Sequence, residues 1–390
     1  MTATTLGNAF RSISNGFNVP QDKSGEGRPV SRIETISNGT VDPNRVGYTV
    51  SAQDVPEKYL LKPGDILLSH INSPPQVGKC AMFRAEPRGL IHGINLLNLR
   101  CDERVLLPEY ALHLLRSPTF LRSLRPFVNQ AVNQASVSIS NLKTIKVDLP
   151  PIDEQRKIAT TLDKADQLRA KRSCALANLA ALSESIFLEM FGDPASASTP
   201  FSMRKLNDVG QVITGNTPSR DHLDYFGDAI EWIKSDNIQP PLPYLTRAKE
   251  GLSDQGRQVA RVAPAGSILV TCIAGSASSI GSAAIADRPV AFNQQINALV
   301  PHEGEALYFH ALMTAGKRTV QAASTASMKG MINKSRFGLI ELPVAPVGLQ
   351  KEFAQRAALI HIQRCSMENS VRQLDDLFLS SQERAFKGDL

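Results

Sequence analysis

The chain has 390 residues, 42% hydrophobic and 21% charged, and its formal net charge is +6. This length predicts two domains, and the composition is that of a folded protein, which excludes a wholly disordered chain. No apolar run approaches the roughly 20 residues of a bilayer span, and segment 1–10 lacks the basic start and apolar core of a signal peptide. A cytoplasmic protein is therefore expected. The basic balance permits nucleic-acid binding without establishing it.

Residues 1–150 form the first predicted module. Short apolar runs such as Asp65–Ser69 alternate with Gly, Pro, Asn and Ser, which predicts strands joined by turns. A short helix is expected near Pro108–Leu121. The module stops at the proline-marked segment Leu149-Pro150-Pro151.

After this stop, the apolar period changes to that of a helix over 151–193. Asp153 is the expected N-cap, and Glu154 in the first turn faces the positive helix end. Neither Pro nor Gly interrupts the pattern before Gly192. The predicted apolar stripe consists of Ile158, Leu162, Ala165, Leu168, Leu176, Leu179, Leu182 and Ile186.

The same layout recurs in the second half. Residues 194–347 again carry strand-like runs such as Ser267–Cys272, with a helix expected near Ala306–Met313. A second long helix is predicted over 348–390 after the stop that begins at Leu342-Pro343. Its stripe is closer to a heptad and consists of Phe353, Ile360, Met367, Val371, Leu374, Phe378, Ser381 and Ala385.

Several short matches in the same order indicate that the chain is an internal repeat. Segment Pro63–Leu67 matches Ala265–Leu269, and Ile94-Asn95 matches Ile296-Asn297 at the same spacing. Further matches pair Val147–Pro150 with Ile340–Pro343, Gln155–Ile158 with Gln350–Phe353, and Phe191 with Phe386.

Each long helix has about 35 predicted residues, or about 50 Å at the usual rise. A helix of that length with one apolar stripe needs a partner, and the other copy is the economical one. A two-fold-like repeat favours an antiparallel pair. The alternative is that each helix folds back on its own module, against which the length counts.

The segment after the first stop, LPPIDEQRKIATTLDKADQLRAKR from Leu149 to Arg172, resembles the central repeat of type I restriction–modification specificity subunits. The Pro-Pro-x-x-Glu-Gln turn before a long helix is its most specific part. The segments that are also similar to this family are Met190–Pro194, Thr214–Ser219, Phe292–Ile296, Leu374–Phe378 and Arg384–Leu390.

The resemblance implies an α+β fold. Two strand-rich α/β target recognition domains with short helices would be separated by a pseudo-two-fold pair of long antiparallel coiled-coil helices. Each domain would read one half of a bipartite site in double-stranded DNA, and the helices would set the spacer between the halves.

The resemblance also implies partners. The helices would bind two methyltransferase subunits, and motor–nuclease subunits join in restriction-competent complexes. S-adenosylmethionine, ATP and Mg²⁺ belong to those partners, and this chain would bind no cofactor. One departure is that Leu349 stands where Glu154 would align, so the second helix start is expected to be capped differently or to dock a methyltransferase less tightly. The residues expected to bind partners are Glu154, Gln155, Ile158, Leu162, Gln350 and Phe353.

DNA reading needs cations for phosphates, and amides, hydroxyls or Arg for base edges. In the second copy, the residues that meet this description are Thr214, Asn216, Thr217, Ser219, Arg220, Lys234, Asn237, Asn293, Gln294, Lys329, Asn333, Lys334 and Arg336. In the first copy, they are Arg28, Arg32, Asn44, Arg45, His70, Asn72, Lys79, Asn129, Gln130, Asn133 and Gln134.

Each of these residues has a structural alternative. A Thr-Pro-Ser turn can serve only as a turn, and the amides of Asn293–Gln295 can satisfy buried backbone. His92 fits a structural role better than base reading. No close counterpart of Asn129–Gln134 is evident in the second copy. The prediction therefore depends on the group of residues.

Enzyme motifs are missing from the sequence. It contains no Gly-x-x-x-x-Gly-Lys-Ser/Thr loop, no Asn/Asp-Pro-Pro-aromatic methyltransferase motif and no His-x-x-x-His metal spacing. A non-catalytic binding subunit is therefore favoured over a stand-alone DNA-modifying or DNA-cleaving enzyme. A third hypothesis is a protein adaptor that does not bind DNA. Buried thiols, without disulfides or a zinc site, are expected for Cys80, Cys101, Cys174, Cys272 and Cys365.

Overall fold

The computed structural model of the chain describes residues 1–23, 25–50, 55–131, 134–196, 199–325 and 330–387. The chain divides into two compact units. Unit 1 comprises Met1–Arg172 with Ser370–Leu390, and unit 2 comprises Ser173–Asn369. Each unit holds one strand-rich module and a part of each long helix. The boundaries predicted at 150, 193 and 347 separate modules from long helices along the sequence, whereas the two units each combine a module with parts of both helices. Those boundaries therefore stay a prediction.

Unit 1 begins with a module of short strands and helices. In chain order its elements are β1 (Thr2–Thr5), α1 (Leu6–Ala9), β2 (Phe10–Asn15), β3 (Gln21–Asp22), β4 (Pro29–Val30), β5 (Gly47–Thr49), β6 (Ile66–Ser69), β7 (Ile71–Asn72), β8 (Cys80–Met82), β9 (Leu96–Cys101), α2 (Pro108–Arg116), α3 (Pro118–Leu124), β10 (Asn129–Ala131), β11 (Gln134–Ser136), α4 (Ile139–Thr144), β12 (Lys146–Leu149) and the start of the long helix α5 (Ile152–Phe191).

The centre of unit 1 is an antiparallel sheet with strand order β2-β9-β6-β8. All four residues of β6 are buried, as its apolar sequence Ile-Leu-Leu-Ser predicts for a central strand. The helix α2 packs its apolar stripe on this sheet and starts at Pro108, whose missing N–H costs nothing at a first helical position. The smaller sheet has the order β3-β5-β4, β1 pairs with β12, and β10-β11-β7 form a ribbon.

Unit 2 repeats this plan. Its elements are β13 (Met203–Lys205), α6 (Leu206–Val209), β14 (Gly210–Thr214), β15 (Phe226–Ile233), β16 (Gly251–Leu252), α7 (Asp254–Val259), β17 (Val262–Ala263), β18 (Ile268–Thr271), β19 (Ala283–Ile285), β20 (Val290–Phe292), β21 (Ile296–Pro301), α8 (Ala306–Ala315), α9 (Lys317–Ala322), α10 (Lys334–Gly338), β22 (Glu341–Pro343) and the start of the long helix α11 (Val347–Lys387).

The strand order β14-β21-β18-β19 in unit 2 equals the order β2-β9-β6-β8 in unit 1, so the predicted repeat is a repeat of structure. Two sequence matches were wrong. Thr5 lies opposite Lys146 as Lys205 lies opposite Glu341, so Asp148, not Pro150, corresponds to Pro343. Leu96 lies opposite Ser69 as Ile296 lies opposite Thr271, so Leu96, not Ile94, corresponds to Ile296. The connections between the strands differ in length in the two units, so matches sought at one constant residue spacing miss the true counterpart.

The long helices have 40 and 41 residues and pack on each other inside each unit. In unit 1, Arg169 of α5 donates to Asp375 of α11 at 2.6 Å. In unit 2, Phe187 contacts Phe353, and Leu179, two turns earlier, lines a cavity with Ile360. The helix segments of unit 2 are therefore antiparallel. Each helix start also packs on its own module, so the two alternatives weighed for the helices coexist.

Some helix details differ from the expectation. The helix α5 begins at Ile152, so Asp153 lies inside its first turn and pairs with Arg156 at 3.0 Å instead of capping it. Leu168 and Leu182 of the predicted stripe are exposed. Because the helix contacts are local, the stripe is not buried along its whole length.

All five thiols are free, as expected, but only Cys80, Cys101 and Cys272 are buried. Cys174 and Cys365 lie on exposed faces of the long helices, so the expectation of burial was wrong for both. Apolar spacing alone could not place them, because it does not show which helix face is left uncovered.

The helix α5 is long and apolar enough, by length and composition, to cross a membrane. Phe187 and Phe191 near its end pack instead against Tyr308 and Phe353 within unit 2. Only 12% of the apolar span is buried within the fold. By length and composition, the sequence expectation that no apolar run approaches the length of a bilayer span does not hold for α5.

Candidate nucleic-acid interface

In both units, polar turns gather at one edge of the central sheet. In unit 2, the turn after β14 meets the segment before β21, because the Asn216 N–H donates to the Phe292 carbonyl at 3.0 Å. In unit 1, the Phe17 N–H donates to the His92 carbonyl at 2.7 Å. The approach is so close that a Cβ on Gly16 or Gly215 would collide with backbone carbonyls. The sequence-predicted segments 214–217 and 293–295 are thus brought together.

The polar side chains of this turn in unit 2 bond mainly to the protein itself. Thr214 Oγ1 donates to Asn297 Oδ1 at 2.5 Å, and the Thr217 hydroxyl donates to the Gln294 amide oxygen. Asn216 donates to the Val259 carbonyl at 2.9 Å and accepts from the Arg261 N–H at 2.7 Å. The amide of Asn216 is therefore used up inside the fold.

Next to this turn, two cations lie over Trp232. The Arg220 guanidinium is 5.8 Å and the Lys234 ammonium 4.9 Å from its ring centroid. Both cations also bind Glu250, at 3.1 and 2.9 Å, and the Lys234 hydrogen bond is the main cause that lowers the pKa of Glu250. Such exposed pairs contribute at most about 1 kcal/mol each, so a phosphate can compete for the cations. Ser219 bonds to Asp221 at 3.2 Å.

Asn237 holds a turn, not a ligand. Its oxygen accepts from the Lys234 N–H at 3.0 Å, and its nitrogen donates to the Arg247 carbonyl at 3.0 Å. Unit 1 repeats this turn with Thr35, which accepts from the Arg32 N–H at 2.8 Å and donates to the Arg45 carbonyl at 2.6 Å. The sequence comparison missed this match because the Thr35 hydroxyl and the Asn237 amide form equivalent hydrogen bonds although the residue types differ.

Two further amides of unit 2 are structural. Asn293 is buried and forms a local turn with Gln295. Asn333 caps α10 by accepting from the Arg336 N–H at 2.9 Å. The side chains of Lys334 and Arg336 are exposed at this end of the sheet. Lys329 lies outside the described residues.

The DNA-binding residues predicted near the start of unit 1 differ in exposure and in ion pairing. Arg32 pairs with Glu34 at 3.1 Å, and Arg45 pairs with Asp42 at 3.5 Å. Arg28 is half-buried, and Asn44 is exposed.

The residues around β6 and β9 are mostly buried. Burial lowers the pKa of His70 and lowers that of His92 to about 4, so both are neutral near pH 7 and cannot attract a phosphate as cations. The Asn72 amide donates to Ser69 Oγ at 3.2 Å. Lys79 is exposed.

The β10–β11 ribbon has a different character. Asn129, Gln130 and Gln134 are all exposed, and within the described part of the chain their side chains form no hydrogen bond to protein. Asn133 lies outside the described residues. Arg125, just before β10, is another exposed cation that the sequence prediction omitted, since no motif marks it.

Two of the residues expected to bind partners, Gln155 and Gln350, anchor the starts of the long helices. Gln155 accepts from the Leu107 N–H at 3.0 Å and donates to the Pro150 carbonyl at 2.9 Å. Gln350 accepts from the Glu305 N–H at 3.2 Å and donates to the Ala345 carbonyl at 2.7 Å, so Pro150 and Ala345 are equivalent positions.

The second helix start is thus anchored as the first is, although Leu349 replaces Glu154. Glu154 is half-buried, whereas the other predicted partner-binding side chains are buried in their own units: Gln155, Ile158, Leu162, Gln350 and Phe353. A direct contact between these buried side chains and a partner would require their exposure.

The sequence matches one family model, the type I restriction modification DNA specificity domain, over residues 10–176 and again over 199–356. The two matches cover the two repeats found in the sequence and in the fold.

Curated relatives are specificity subunits of type I restriction enzymes. The MjaX subunit of Methanocaldococcus jannaschii is 29% identical over 66% of this chain and 65% of its own length. The HindI subunit of Haemophilus influenzae is 31% identical over 36% and 31%, and the EcoKI subunit of Escherichia coli K12 is 26% identical over 46% and 40%. The chain thus spans about two thirds or less of the length of these relatives.

Two solved structures share the fold. One, from work on complex assembly and conformational transition of the type I R-M system, superposes with a TM-score of 0.62 at 17% identity, over 100% of this chain and 98% of that chain. The type I restriction–modification S subunit of M. genitalium gives 0.58 at 13% identity, over 99% and 96%. At these identities the likeness concerns the fold alone.

Proposed function

The chain belongs to the type I restriction modification DNA specificity family, and on that premise we propose that it selects the DNA site of a type I restriction–modification complex. Each unit reads one half of a bipartite sequence in double-stranded DNA. The long helices hold the two reading modules and carry two methyltransferase subunits, and motor–nuclease subunits join where restriction occurs.

The observation that carries this proposal is the double family match, which falls on two modules of the same strand order. A chain that presents two copies of one scaffold, each with polar turns at the same sheet edge, is suited to reading two separate short sequences. Cations such as Lys79, Lys334 and Arg336 at or near these edges suit phosphate contacts, which position a protein on DNA.

We also propose that the chain itself is non-catalytic and works in the cytoplasm. S-adenosylmethionine, ATP and Mg²⁺ would be bound by the partner subunits. The described ranges hold no cluster of three or more His, Cys, Asp or Glu side chains that could bind a metal ion.

The test is sequencing of methylated bases in cells with and without the gene. We expect a split motif of two short halves that disappears when the gene is deleted. Replacing residues 195–347 with the corresponding segment of a relative should change one half of the motif and leave the other half and the spacer unchanged.

Two results would contradict the proposal. Methylation or cleavage by the purified chain alone would make it an enzyme. DNA binding that is absent, or that does not weaken with salt, would make it a protein adaptor, because phosphate contacts give a steep salt dependence.

A further inference from the structure

We propose that the β10–β11 ribbon of unit 1 enters the DNA major groove and reads bases through the side-chain amides of Asn129 and Gln134. The inference rests on the proposed function and assigns the reading of one half-site to a particular element.

The base of the ribbon is fixed to the central sheet. Its inner strand β11 pairs with β7, Ala135 with Asn72 and Ser136 with Ile71. Only His70 separates β7 from β6, and the His70 carbonyl accepts from the Val137 N–H at 2.9 Å. The base of the ribbon is thereby hydrogen-bonded to the sheet edge at which the polar turns gather.

The pairing register determines which side chains share a face. Asn129 lies opposite Ser136, Gln130 opposite Ala135, and Ala131 opposite Gln134. Paired residues of an antiparallel ribbon lie on one side, and successive residues alternate. Ala135 is buried, so its pair Gln130, although exposed, belongs to the face turned toward the module. Gln130 is therefore not among the proposed base-reading residues, although the sequence pattern includes it. Asn129 and Gln134 belong to the opposite, outward face.

The chemistry of the outward face fits base edges. The amides of Asn129 and Gln134 are exposed and, in the described part of the chain, lack protein partners, unlike those of Asn72, Asn216 and Asn237, which hold turns. A free amide can donate and accept at once, which matches the N6 and N7 atoms of adenine. Adenine in the first half-site is therefore the expected target.

The shape and the surrounding charge agree with this assignment. A major groove about 12 Å wide admits a two-stranded ribbon. The described ribbon residues 129–131 and 134–136 include no Lys or Arg, whereas two exposed cations flank the ribbon base. The Lys79 carbonyl accepts from the Ser69 N–H at 2.8 Å, and the Arg125 carbonyl accepts from the Val128 N–H at 3.1 Å. The cations can hold phosphates while the amides meet bases.

The experiment uses the full chain assembled with its methyltransferase subunits and a duplex that carries the motif found by methylation sequencing. Asn129→Ala and Gln134→Ala should each lower affinity for that duplex by roughly 10- to 100-fold. The loss should vanish when the adenine contacted in the first half-site is replaced, and preference in the second half should not change. Gln130→Ala, on the opposite face of the same ribbon, is the matched control and should stay within about twofold, in keeping with its assigned face.

Lys79→Ala separates phosphate contacts from base reading. It should weaken binding to all sequences alike and reduce the salt slope by about 1, whereas Asn129→Ala should leave the salt slope unchanged. Circular dichroism of each variant checks that the fold is kept, which is expected for exposed side chains.

The proposal fails if the Asn129 and Gln134 variants keep full preference in the first half-site, if both halves change together, or if Gln130→Ala has the same effect. In these cases the wild-type complex still selects its motif and the proposed function stands. A wild-type complex without any sequence preference would overturn the proposed function and, with it, the ribbon assignment.

Discussion

Tyr110 of unit 1 and Tyr308 of unit 2 occupy equivalent buried positions, but replacing each with Phe is expected to change the stability of the protein differently. Tyr308 in unit 2 donates its hydroxyl to the Pro343 carbonyl at 3.3 Å and accepts from the Ala345 N–H at 2.8 Å. In unit 1, Pro150 occupies the position of Ala345, and proline has no N–H. Within the described residues the Tyr110 hydroxyl is buried without a hydrogen-bond partner.

The magnitudes follow from these contacts. Tyr308→Phe leaves the Ala345 N–H buried and unpaired, which should cost about 1–3 kcal/mol of the free energy of unfolding. Tyr110→Phe removes a hydroxyl whose burial no hydrogen bond offsets. Its free energy of unfolding should stay the same or rise by up to about 1 kcal/mol.

Urea unfolding can measure both effects separately. Trp232 is the single tryptophan and is buried in unit 2, so its fluorescence reports on the unit that contains Tyr308. Hydrogen exchange of the α2 amides reports on unit 1 around Tyr110. An unchanged m-value would show that the extent of unfolding is the same. Equal losses in the two variants, or no loss in Tyr308→Phe, would refute the reasoning.

Two further predictions concern pH and thiol reactivity. Because burial lowers the pKa of His92 to about 4, the unfolded chain binds a proton below pH 6.5 that the folded chain does not, so stability should fall as pH falls from 6.5 to 4. His92→Phe, which copies Phe292 of unit 2, should remove about 2 kcal/mol of the loss between pH 7 and 5 in urea unfolding; an unchanged pH dependence would contradict this. A maleimide should label Cys174 and Cys365 in the native chain within minutes, with the others reacting only after urea is added. Early labelling would contradict the burial of Cys80, Cys101 and Cys272.

The helices could be predicted from sequence because their signals are local. Pro150 and Pro151 end the first module, and the apolar period after them is long enough to identify α5. The strand order of the central sheets could not be predicted, since β2 pairs with β9 and β6 with β9 across long loops. The internal repeat could be detected in the sequence only at positions where both copies carry similar residue types.

The candidate site was harder to predict because composition does not show whether an amide is already bonded. Asn216, Asn237 and Asn293 have the residue type of a base reader, yet each side chain is already hydrogen-bonded within the fold. Asn129 and Gln134 differ from them only through the absence of a described partner, which depends on the surrounding fold.

The two units use the same place on the scaffold for different chemistry. In unit 2, Met331 pairs with Ile273 as Ser136 of β11 pairs with Ile71 in unit 1. Met331, shortly before α10, therefore holds the place of β11, although no sequence match indicated it. Unit 1 presents free amides there, and unit 2 presents the exposed Lys334 a few residues later. Hydrogen bonds of the turns fix the sheet edge in both units, whereas the side chains of this segment differ between them. Under the proposed function, this separation would let the base-reading side chains differ between the two units while the shared fold is kept.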